Sequence, residues 1–357
     1  MFISANDTPF LAETFVSQDK TCARACTVVV RASFDVDADG ACRVAGTQSP
    51  FVFADVHHGD PADTAVRAES DFVPVKVRPE VLLDAKAMAP PGRQATSLEV
   101  ALRGPSLDKR ALVTGERRWT AGAFGLRASA PAPFSAMPLA WHLAFGGTDR
   151  TSDDPARHRS DMRNPLGRGY LDTDSDAASD GTPLPCIERP DALLKTRLGR
   201  PEPIGFGPVP RFAAARVRFA GTYDQHWQDH VLPFLPGDFD DRYFQAAPED
   251  QQVEALSEGT AFMCLNMNPS GRFVVRLPAM AVPVAFCFDD RVERAVLTAD
   301  TLHLVPHESR IVLVGRVGVT LPRKFVRLRE VRVGHVRPRK PHFRHLGEAV
   351  TELRARR

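Results

Sequence analysis

RIVLVGRVGVTL (310–321) is the longest of a series of apolar runs that decide the fold. Apolar and β-branched side chains dominate it, as is typical of a strand. Gly315 and Gly318 interrupt it and predict a β-bulge or the close approach of another backbone. A second β-branched run, CTVVVRASFDV (26–36), ends at a DADG turn. Both runs predict β-strands.

Shorter runs of the same kind surround these two. Turn residues separate them at intervals of about 8–12 residues, which is typical of an antiparallel sandwich or meander. The sequence therefore predicts a mainly β fold with antiparallel, sandwich-like sheets. The further predicted strands are 71–77, 97–103, 111–119, 261–267, 272–277, 284–288, 292–297 and 301–305.

The block 131–252 differs from both flanks. It holds 15 of the 30 prolines, 10 of the 24 glycines, all three tyrosines and two of the three tryptophans. Disordered linkers are poor in aromatic residues, so we expect a long, ordered, irregular loop block that carries function. Two or three short helices are expected, over 222–231, from Pro248 to Leu256, and over 346–356.

These patterns predict an N-terminal extension (1–20), one large β-rich domain (21–333) and a basic tail (334–357). The domain divides into a β part (21–130), the loop block (131–252) and a second β part (253–333). Residues 316–357 carry a net charge of +10, but only Phe325 and Phe343 could stack on bases, so nucleic acid is not the expected partner.

The longest apolar stretch, 277–288, is 12 residues long and contains two prolines. A membrane span needs about 20 residues, so we expect no membrane partner. The N-terminus lacks a basic start followed by an apolar run, so a cytoplasmic location is expected. The six cysteines are expected to be reduced, rather than to form a zinc site on Cys22 and Cys26.

Chemical motifs are incomplete. The chain has no G-x-S-x-G elbow or phosphate loop, and GFGPVP (205–210) has proline where a dinucleotide fingerprint needs its third glycine. We therefore expect no enzyme activity, catalytic residue, metal or cofactor. The alternative is a metal-dependent or carbohydrate-active hydrolase, which would use His226 and His230 or Asp238 and Asp240 in the loop block.

The loop block offers two sets of candidate residues. Turn-forming residues are expected to fix its shape: Gly146, Gly147, Asn164, Gly167, Gly169 and Gly221. Aromatic residues are typical anchors of protein interfaces. The predicted protein-binding residues are Trp141, Phe145, Trp227, Phe239 and Tyr243.

Several motifs in order resemble one known family. They are WHLAFGGTD, NPLGRGY, PLPCIERP, GFGPVP, AGTYDQHW, LPGDFDDRYFQAAPEDQQ and LPAM, and the resemblance runs from about residue 25 to residue 320. It is a family of uncharacterised domains from Gram-negative bacteria, whose members are found beside type VI secretion spike proteins. The resemblance implies a non-enzymatic adaptor or chaperone. Its partners would be a secreted effector and a spike protein of the VgrG or PAAR type, onto which it helps load the effector.

Overall fold

The computed structural model describes residues 3–123, 125–173, 175–322 and 327–334. The first third of the chain forms short strands and a few longer ones. They are β1 (Ile3–Asn6), β2 (Leu11–Gln18), β3 (Arg24–Val36), β4 (Cys42–Val44), β5 (Val56–His57), β6 (Val66–Ala68), β7 (Glu80–Leu83), β8 (Lys86–Met88), β9 (Ser97–Gly104), β10 (Leu107–Thr114), β11 (Trp119–Gly122) and β12 (Gly125–Ala128).

The loop block contains only short elements, as its composition predicts. Its strands are β13 (Ala136–Pro138), β14 (Phe145–Asp149), β15 (Arg159–Asp161), β16 (Arg168–Gly169) and β17 (Ile187–Glu188). Its helices are α1 (Asp176–Ser179), α2 (Ala214–Val217) and α3 (Gln225–His230), with 3-10 turns at Trp141–Leu143, Pro155–Arg157, Asp241–Phe244 and Glu249–Gln251.

The last third returns to long strands. They are β18 (Ala261–Leu265), β19 (Arg272–Arg276), β20 (Ala281–Phe288), β21 (Val292–Val305), β22 (Arg310–Thr320) and β23 (Leu328–Val333), with a 3-10 turn at Pro306–Glu308.

Two sheets dominate the architecture. The larger has nine strands in the order β1-β23-β20-β21-β22-β3-β2, with β4 beside β3 and β7 beside β21. Strands β1 and β2 end this order and also contact each other, so the sheet is nearly closed. The smaller sheet runs β17-β10-β9-β18-β19. All pairings of the smaller sheet and six of the eight pairings of the larger sheet are antiparallel, and the predicted mainly β class is confirmed.

One hydrophobic core joins the two sheets. It contains Val28, Val30 and Phe34 of the large sheet and Leu102 and Phe262 of the small one. Residues of the loop block and of the last strand, β23, enter the same core, so the β parts and the block pack as one unit. Burying such side chains stabilises the folded chain by roughly 1.5–3 kcal/mol each, before the entropy of ordering them.

Gly315 and Gly318 interrupt the apolar pattern of β22, where a bulge or the close approach of another backbone is predicted. Opposite Gly315 the register of β21 shifts between Ala299 and Thr301, which is the mark of a bulge. A Cβ on Gly315 would lie 2.3 Å from the carbonyl oxygen of Thr298. One on Gly318 would lie 3.0 Å from Thr27 Oγ1. The close approach of a neighbouring backbone is confirmed at Gly315.

Two predicted elements are wrong because tertiary contacts override local pattern. Residues 71–77 form no strand, since Asp71 is held by Arg31 and Lys76 by Glu80. The helix expected from Pro248 is only the 3-10 turn Glu249–Gln251. The strands predicted at 292–297 and 301–305 are confirmed, but they are joined into a single bulged strand, β21. The helix expected over 346–356 and the tail beyond residue 334 lie outside the described residues.

The expected N-terminal extension is part of the sheet. Its strand β2 pairs antiparallel with β3 along its whole length, and β1 pairs parallel with β23. Its side chains are mostly half-exposed, which explains why the apolar pattern did not predict strands there. Among the described residues, no helix combines the length and hydrophobicity needed to cross a membrane.

Candidate protein-binding site

Two segments of the loop block are joined by reciprocal hydrogen bonds. We call residues 141–149 and 164–170 the interlocked frame. Asn164 is completely buried, and its Nδ2 donates to the carbonyl oxygens of Trp141 (2.8 Å) and Phe145 (2.9 Å). In return, the amide of Gly147 donates to the Asn164 carbonyl at 2.9 Å. A buried amide that bonds two carbonyls fixes the relative position of both segments.

Glycine is required where the two segments touch. Gly146 and Gly147 have φ of +138° and +92°. A Cβ on Gly146 would lie 2.2 Å from the Asn164 carbonyl oxygen, and one on Gly147 would lie 2.2 Å from that of Gly167. Gly167 itself has no room, since its Cβ would lie 2.6 Å from Asn164 Nδ2. The backbones therefore pack without intervening side chains.

Two further predicted turns are also left-handed. Gly169 and Gly221 have φ of +92° and +82°. A Cβ on Gly169 would lie 2.8 Å from Pro185 Cδ, and one on Gly221 would lie 2.9 Å from Asp238 Oδ1. Both turns thus combine a backbone conformation that favours glycine with a tight contact.

The segment GFGPVP (205–210) packs on the frame. Trp141 Nε1 donates to the Gly207 carbonyl at 2.9 Å, and a Cβ on Gly205 would lie 2.4 Å from the indole ring. Gly205 thus makes room for the Trp141 ring, and Gly207 supplies the carbonyl that its indole nitrogen bonds. The same segment reaches the β7 strand, where Leu83 donates its amide to the Phe206 carbonyl.

The segment FQAAPEDQQ (244–252) is held by buried polar groups of the scaffold. Glu80 is completely buried, and its Oε2 accepts from the amides of Ala246 (2.9 Å) and Ala247 (3.0 Å). Gln251 is also completely buried and donates to the carbonyls of Val81 and Phe206. Lys109 Nζ donates to Gln251 Oε1 at 2.9 Å, and burial lowers the pKa of this amine to about 8.

One stretch of the block lies outside all of this packing. Residues 222–235, which we call the aromatic arm, include helix α3, and every one of their side chains is exposed or half-exposed. Tyr223 is 49% exposed, Leu232 58% and Phe234 41%, and Trp227 is half-exposed beside them. None of these residues belongs to a hydrophobic core cluster of the described chain.

The arm nevertheless has a defined internal structure. Asp224 caps α3 by accepting from the Trp227 amide at 2.9 Å. The Trp227 ring meets the Tyr223 ring edge-on, with centroids 4.8 Å apart, and its Nε1 donates to the Phe234 carbonyl at 2.9 Å. The predicted helix over 222–231 is thus confirmed in a shorter form, with its cap at residue 224.

The base of the arm is held by hydrogen bonds to Asp238 and is linked to the N-terminal part of the chain. Thr222 donates its amide and its hydroxyl to the two carboxylate oxygens of Asp238, at 3.0 and 2.7 Å. These bonds hold the pKa of Asp238 below its usual value. Lys20 Nζ donates to the Phe239 carbonyl at 2.8 Å, which ties this base to the N-terminal strands.

The side chains considered for hydrolase chemistry either form ion pairs or hydrogen bonds with neighbouring residues or are exposed to solvent. Asp240 forms an ion pair with Arg242, whose hydrogen bonds lower the Asp240 pKa to about 2. His226 and His230 stack on the exposed arm with ring centroids 4.8 Å apart. The part of the chain that the structure describes contains no group of three or more His, Cys, Asp or Glu side chains able to hold a metal ion.

The predicted protein-binding residues divide into two groups. Trp141, Phe145 and Phe239 are buried, with 6%, 1% and 3% of their surface exposed, so their rings do not face a partner in this conformation. Trp227 and Tyr243 are half-exposed. Of these two, Trp227 lies on the arm.

Sequence reasoning missed the neighbours that make Trp227 part of a surface. Tyr223, Leu232 and Phe234 lie within the motif-rich region but are not among the predicted protein-binding residues. Their signal is the sequence between them: Asp224–Gln225 and Gln228–Asp229 leave no continuous apolar face that a core could bury.

Comparison with known proteins gives one match. The model of a family described as "Uncharacterized protein conserved in bacteria (DUF2169)" matches residues 21–316. No match was found among curated proteins or among solved structures. Because the matched region covers most of the chain, including the frame and the arm, this protein belongs to the DUF2169 family of conserved bacterial proteins.

Proposed function

We propose that this protein is a non-enzymatic adaptor that holds a partner protein through the aromatic arm. In this proposal the partner is a type VI secretion effector, which the adaptor binds in the cytoplasm and helps load onto a spike protein of the VgrG or PAAR type. The type VI assignment rests on the resemblance of the ordered motifs. The family description itself assigns no function.

The observation that carries the binding role is the exposure of the arm. Tyr223, Trp227, Leu232 and Phe234 present a run of large apolar side chains on one short segment. Contiguous exposed apolar surface on a folded protein is typical of a protein-interaction site. Tyr and Trp are the residue types most enriched among the residues that dominate binding energy.

The internal bonds of the arm support the same role. The cap of Asp224, the Trp227–Phe234 hydrogen bond and the Thr222–Asp238 pair hold its apolar side chains in place before a partner arrives. A surface that is already ordered loses less conformational entropy on binding, which strengthens the complex.

Around the apolar side chains the arm carries Asp224 and Asp229, which are exposed. Asp229 accepts a hydrogen bond from Gln225, and Asp224 is the helix cap. A partner that fits this surface would present an apolar recess with a polar or basic rim.

Co-purification from the native host tests the proposal. The tagged full chain is expected to recover an effector encoded beside it and a spike component. The double variant Trp227→Ala/Phe234→Ala is expected to lose the effector, because it removes two apolar contacts at once. Phe53→Ala is the matched control, since Phe53 is an aromatic side chain that is 69% exposed outside the arm.

Recovery of neither an effector nor a spike component by the wild-type chain would refute the adaptor role. Recovery of an effector by the wild-type chain and by the double variant alike would keep an adaptor but place its contact surface elsewhere. If Phe53→Ala also lost the effector, binding would depend on exposed aromatic residues in general and not on the arm.

A further inference from the structure

A polar groove runs along the interlocked frame, away from the aromatic arm. It consists of two adjoining cavities of about 430 and 420 Å³. The residues that line both are Thr148, Arg150, Gly167, Arg168 and Pro183. Each cavity lies within the range of about 300–1,000 Å³ that ligand-binding clefts occupy.

Arg168 in this groove differs from the other shielded arginines that form ion pairs. Its side chain is 24% exposed, but its nearest carboxylate oxygen, from Glu116, is 3.8 Å away. Five other arginines of the described chain have side chains that are 20% exposed or less, and each has a carboxylate oxygen within 2.9 Å. They are Arg31, Arg117, Arg197, Arg216 and Arg316.

The contacts that Arg168 does make leave most of its donors available. Its Nε donates to the His142 carbonyl at 3.1 Å, and its Nη1 lies 4.0 Å from the Cys186 sulfur, a weak acceptor. The Glu116 side chain is 67% exposed, and an ion pair of this length and exposure contributes little free energy. A partly buried guanidinium with one short bond to a neutral acceptor favours an anionic ligand.

The other groups of the groove are suited to the same ligand. Arg118 and Arg150 line it and are exposed. Arg118 Nη1 donates to the Gly181 carbonyl at 2.9 Å, whereas the Arg150 side chain has no hydrogen bond or ion pair within the described residues.

The carboxylate of Asp149 is already occupied, since it accepts from the amides of Thr151 (2.8 Å) and Asp172 (2.6 Å). Asp63 and Glu116 also line the groove, and both are exposed. The one ion-pair contact between an acidic residue and an arginine of the described lining is the 3.8 Å contact from Glu116 to Arg168, so these arginines lack a close counter-charge.

His142 adds a neutral donor. Its Nδ1 accepts from the Ala65 amide at 3.2 Å, which places the ring proton on Nε2. Burial, followed by the nearby His58 and Arg168, lowers the pKa of His142 to about 4, so the ring is uncharged near neutral pH. His142 lines the first cavity beside Arg168.

We propose that this groove binds an acidic peptide segment, with a carboxylate of the peptide held by Arg168 and a second by Arg150 or Arg118. The size of the paired cavities favours several residues of a peptide over a free anion. Pro165, Leu166 and Pro183 supply apolar walls for the peptide between its charges. The site is separate from the aromatic arm and does not depend on the function proposed for it.

Fluorescence anisotropy tests the site with a defined probe. The probe is a labelled peptide with four glutamates spaced by glycine and serine, and the control peptide has glutamine in place of each glutamate. The wild-type chain is expected to bind the acidic peptide and not the control peptide. Arg168→Gln is expected to weaken binding by about tenfold to a hundredfold, because a charge-assisted paired contact is lost.

Arg43→Gln is the charge-matched control. Arg43 lies on β4 with a side chain that is 81% exposed, outside the groove, and its loss is expected to change affinity by less than about twofold. If Arg168→Gln fails to fold, Arg150→Gln takes its place, since Arg150 is exposed and its loss removes no described contact. That variant is expected to weaken binding by about threefold.

Three results would overturn the assignment. One is no binding of the acidic peptide by the wild-type chain at millimolar concentration. A second is an equal loss of affinity in Arg43→Gln and in the groove variants, which would indicate nonspecific electrostatic attraction and no defined binding site. The third is full displacement of the peptide by an equimolar amount of inorganic phosphate, which would replace the peptide with a small anion as ligand.

Discussion

The interlocked frame and the aromatic arm come from the same proline- and glycine-rich block, yet they use their aromatic residues in opposite ways. In the frame, Trp141 and Phe145 are buried and their backbone carbonyls are bonded by Asn164. In the arm, Trp227 and Phe234 contact little besides the arm itself. The difference indicates that one part of the block maintains shape and the other presents a surface.

Trp141→Ala is expected to have the largest effect on stability. The change leaves a cavity, removes the hydrogen bond to the Gly207 carbonyl and takes away the ring on which Gly205 packs. Large aromatic truncations in cores lower the free energy of unfolding by about 3–5 kcal/mol. Urea denaturation monitored by circular dichroism measures the free energy of unfolding. A decrease of less than about 1 kcal/mol would contradict the claim that the frame stabilises the fold.

Acidification is expected to weaken the frame through His142. Its pKa of about 4 in the folded chain lies below the ordinary 6.5, so below pH 6.5 the unfolded chain binds a proton that the folded chain does not. This contribution to stability is complete above pH 6.5 and falls as the pH drops toward 4. The total loss is about 3 kcal/mol, at 1.36 kcal/mol per pKa unit.

His142→Asn isolates that contribution, because the asparagine oxygen can still accept from the Ala65 amide. Between pH 6.5 and 4.5, the free energy of unfolding of the wild-type chain should fall more steeply than that of the variant. Parallel curves would show that His142 is not protected from protonation in the folded chain.

Asn164→Ala is expected to lower the free energy of unfolding by about 2–3 kcal/mol, since the carbonyls of Trp141 and Phe145 would be buried without their donor. Asn6→Ala is the matched control. Asn6 donates to the Phe10 carbonyl at 2.8 Å, but the pair is exposed, and water can replace the bond. Thermal denaturation of both variants should separate them clearly, and equal shifts in melting temperature would argue against the frame.

Leu232→Ser on the arm is expected to have the smallest effect, within about 0.5 kcal/mol of the wild-type free energy of unfolding. Leu232 is 58% exposed and belongs to no core cluster of the described residues. Denaturation under the conditions used for Trp141→Ala makes the comparison direct. A loss above about 2 kcal/mol would place the arm with the frame as a structural element.

The sequence predicted the fold class and many of the strands, because β22 and β3 are long apolar runs whose burial leaves a local pattern. It also predicted glycine turns in the frame. It did not predict β1 and β2, which are half-exposed, or the irregular path of residues 71–77. Those depend on partners distant in sequence, such as the Arg31–Asp71 pair.

The candidate surface was predicted only in part, for a related reason. An aromatic residue in an irregular loop has no periodicity that reveals its direction, so Trp141 and Trp227 were equivalent candidates. Their difference arises from contacts made elsewhere in the chain, since the Gly205–Gly207 segment covers Trp141. Arg168 was missed similarly, because only the positions of carboxylates around it distinguish it from the other 38 arginines.

The most direct test measures stability and partner affinity in the same variant. Trp227→Ala/Phe234→Ala is compared with the wild-type chain by urea denaturation and by isothermal titration with the effector recovered from the native host. The account predicts a free energy of unfolding within about 1 kcal/mol of wild type and an affinity reduced by about thirtyfold or more, as for loss of a binding hot spot. An unchanged affinity in the folded variant would contradict the claim that the arm is the binding surface.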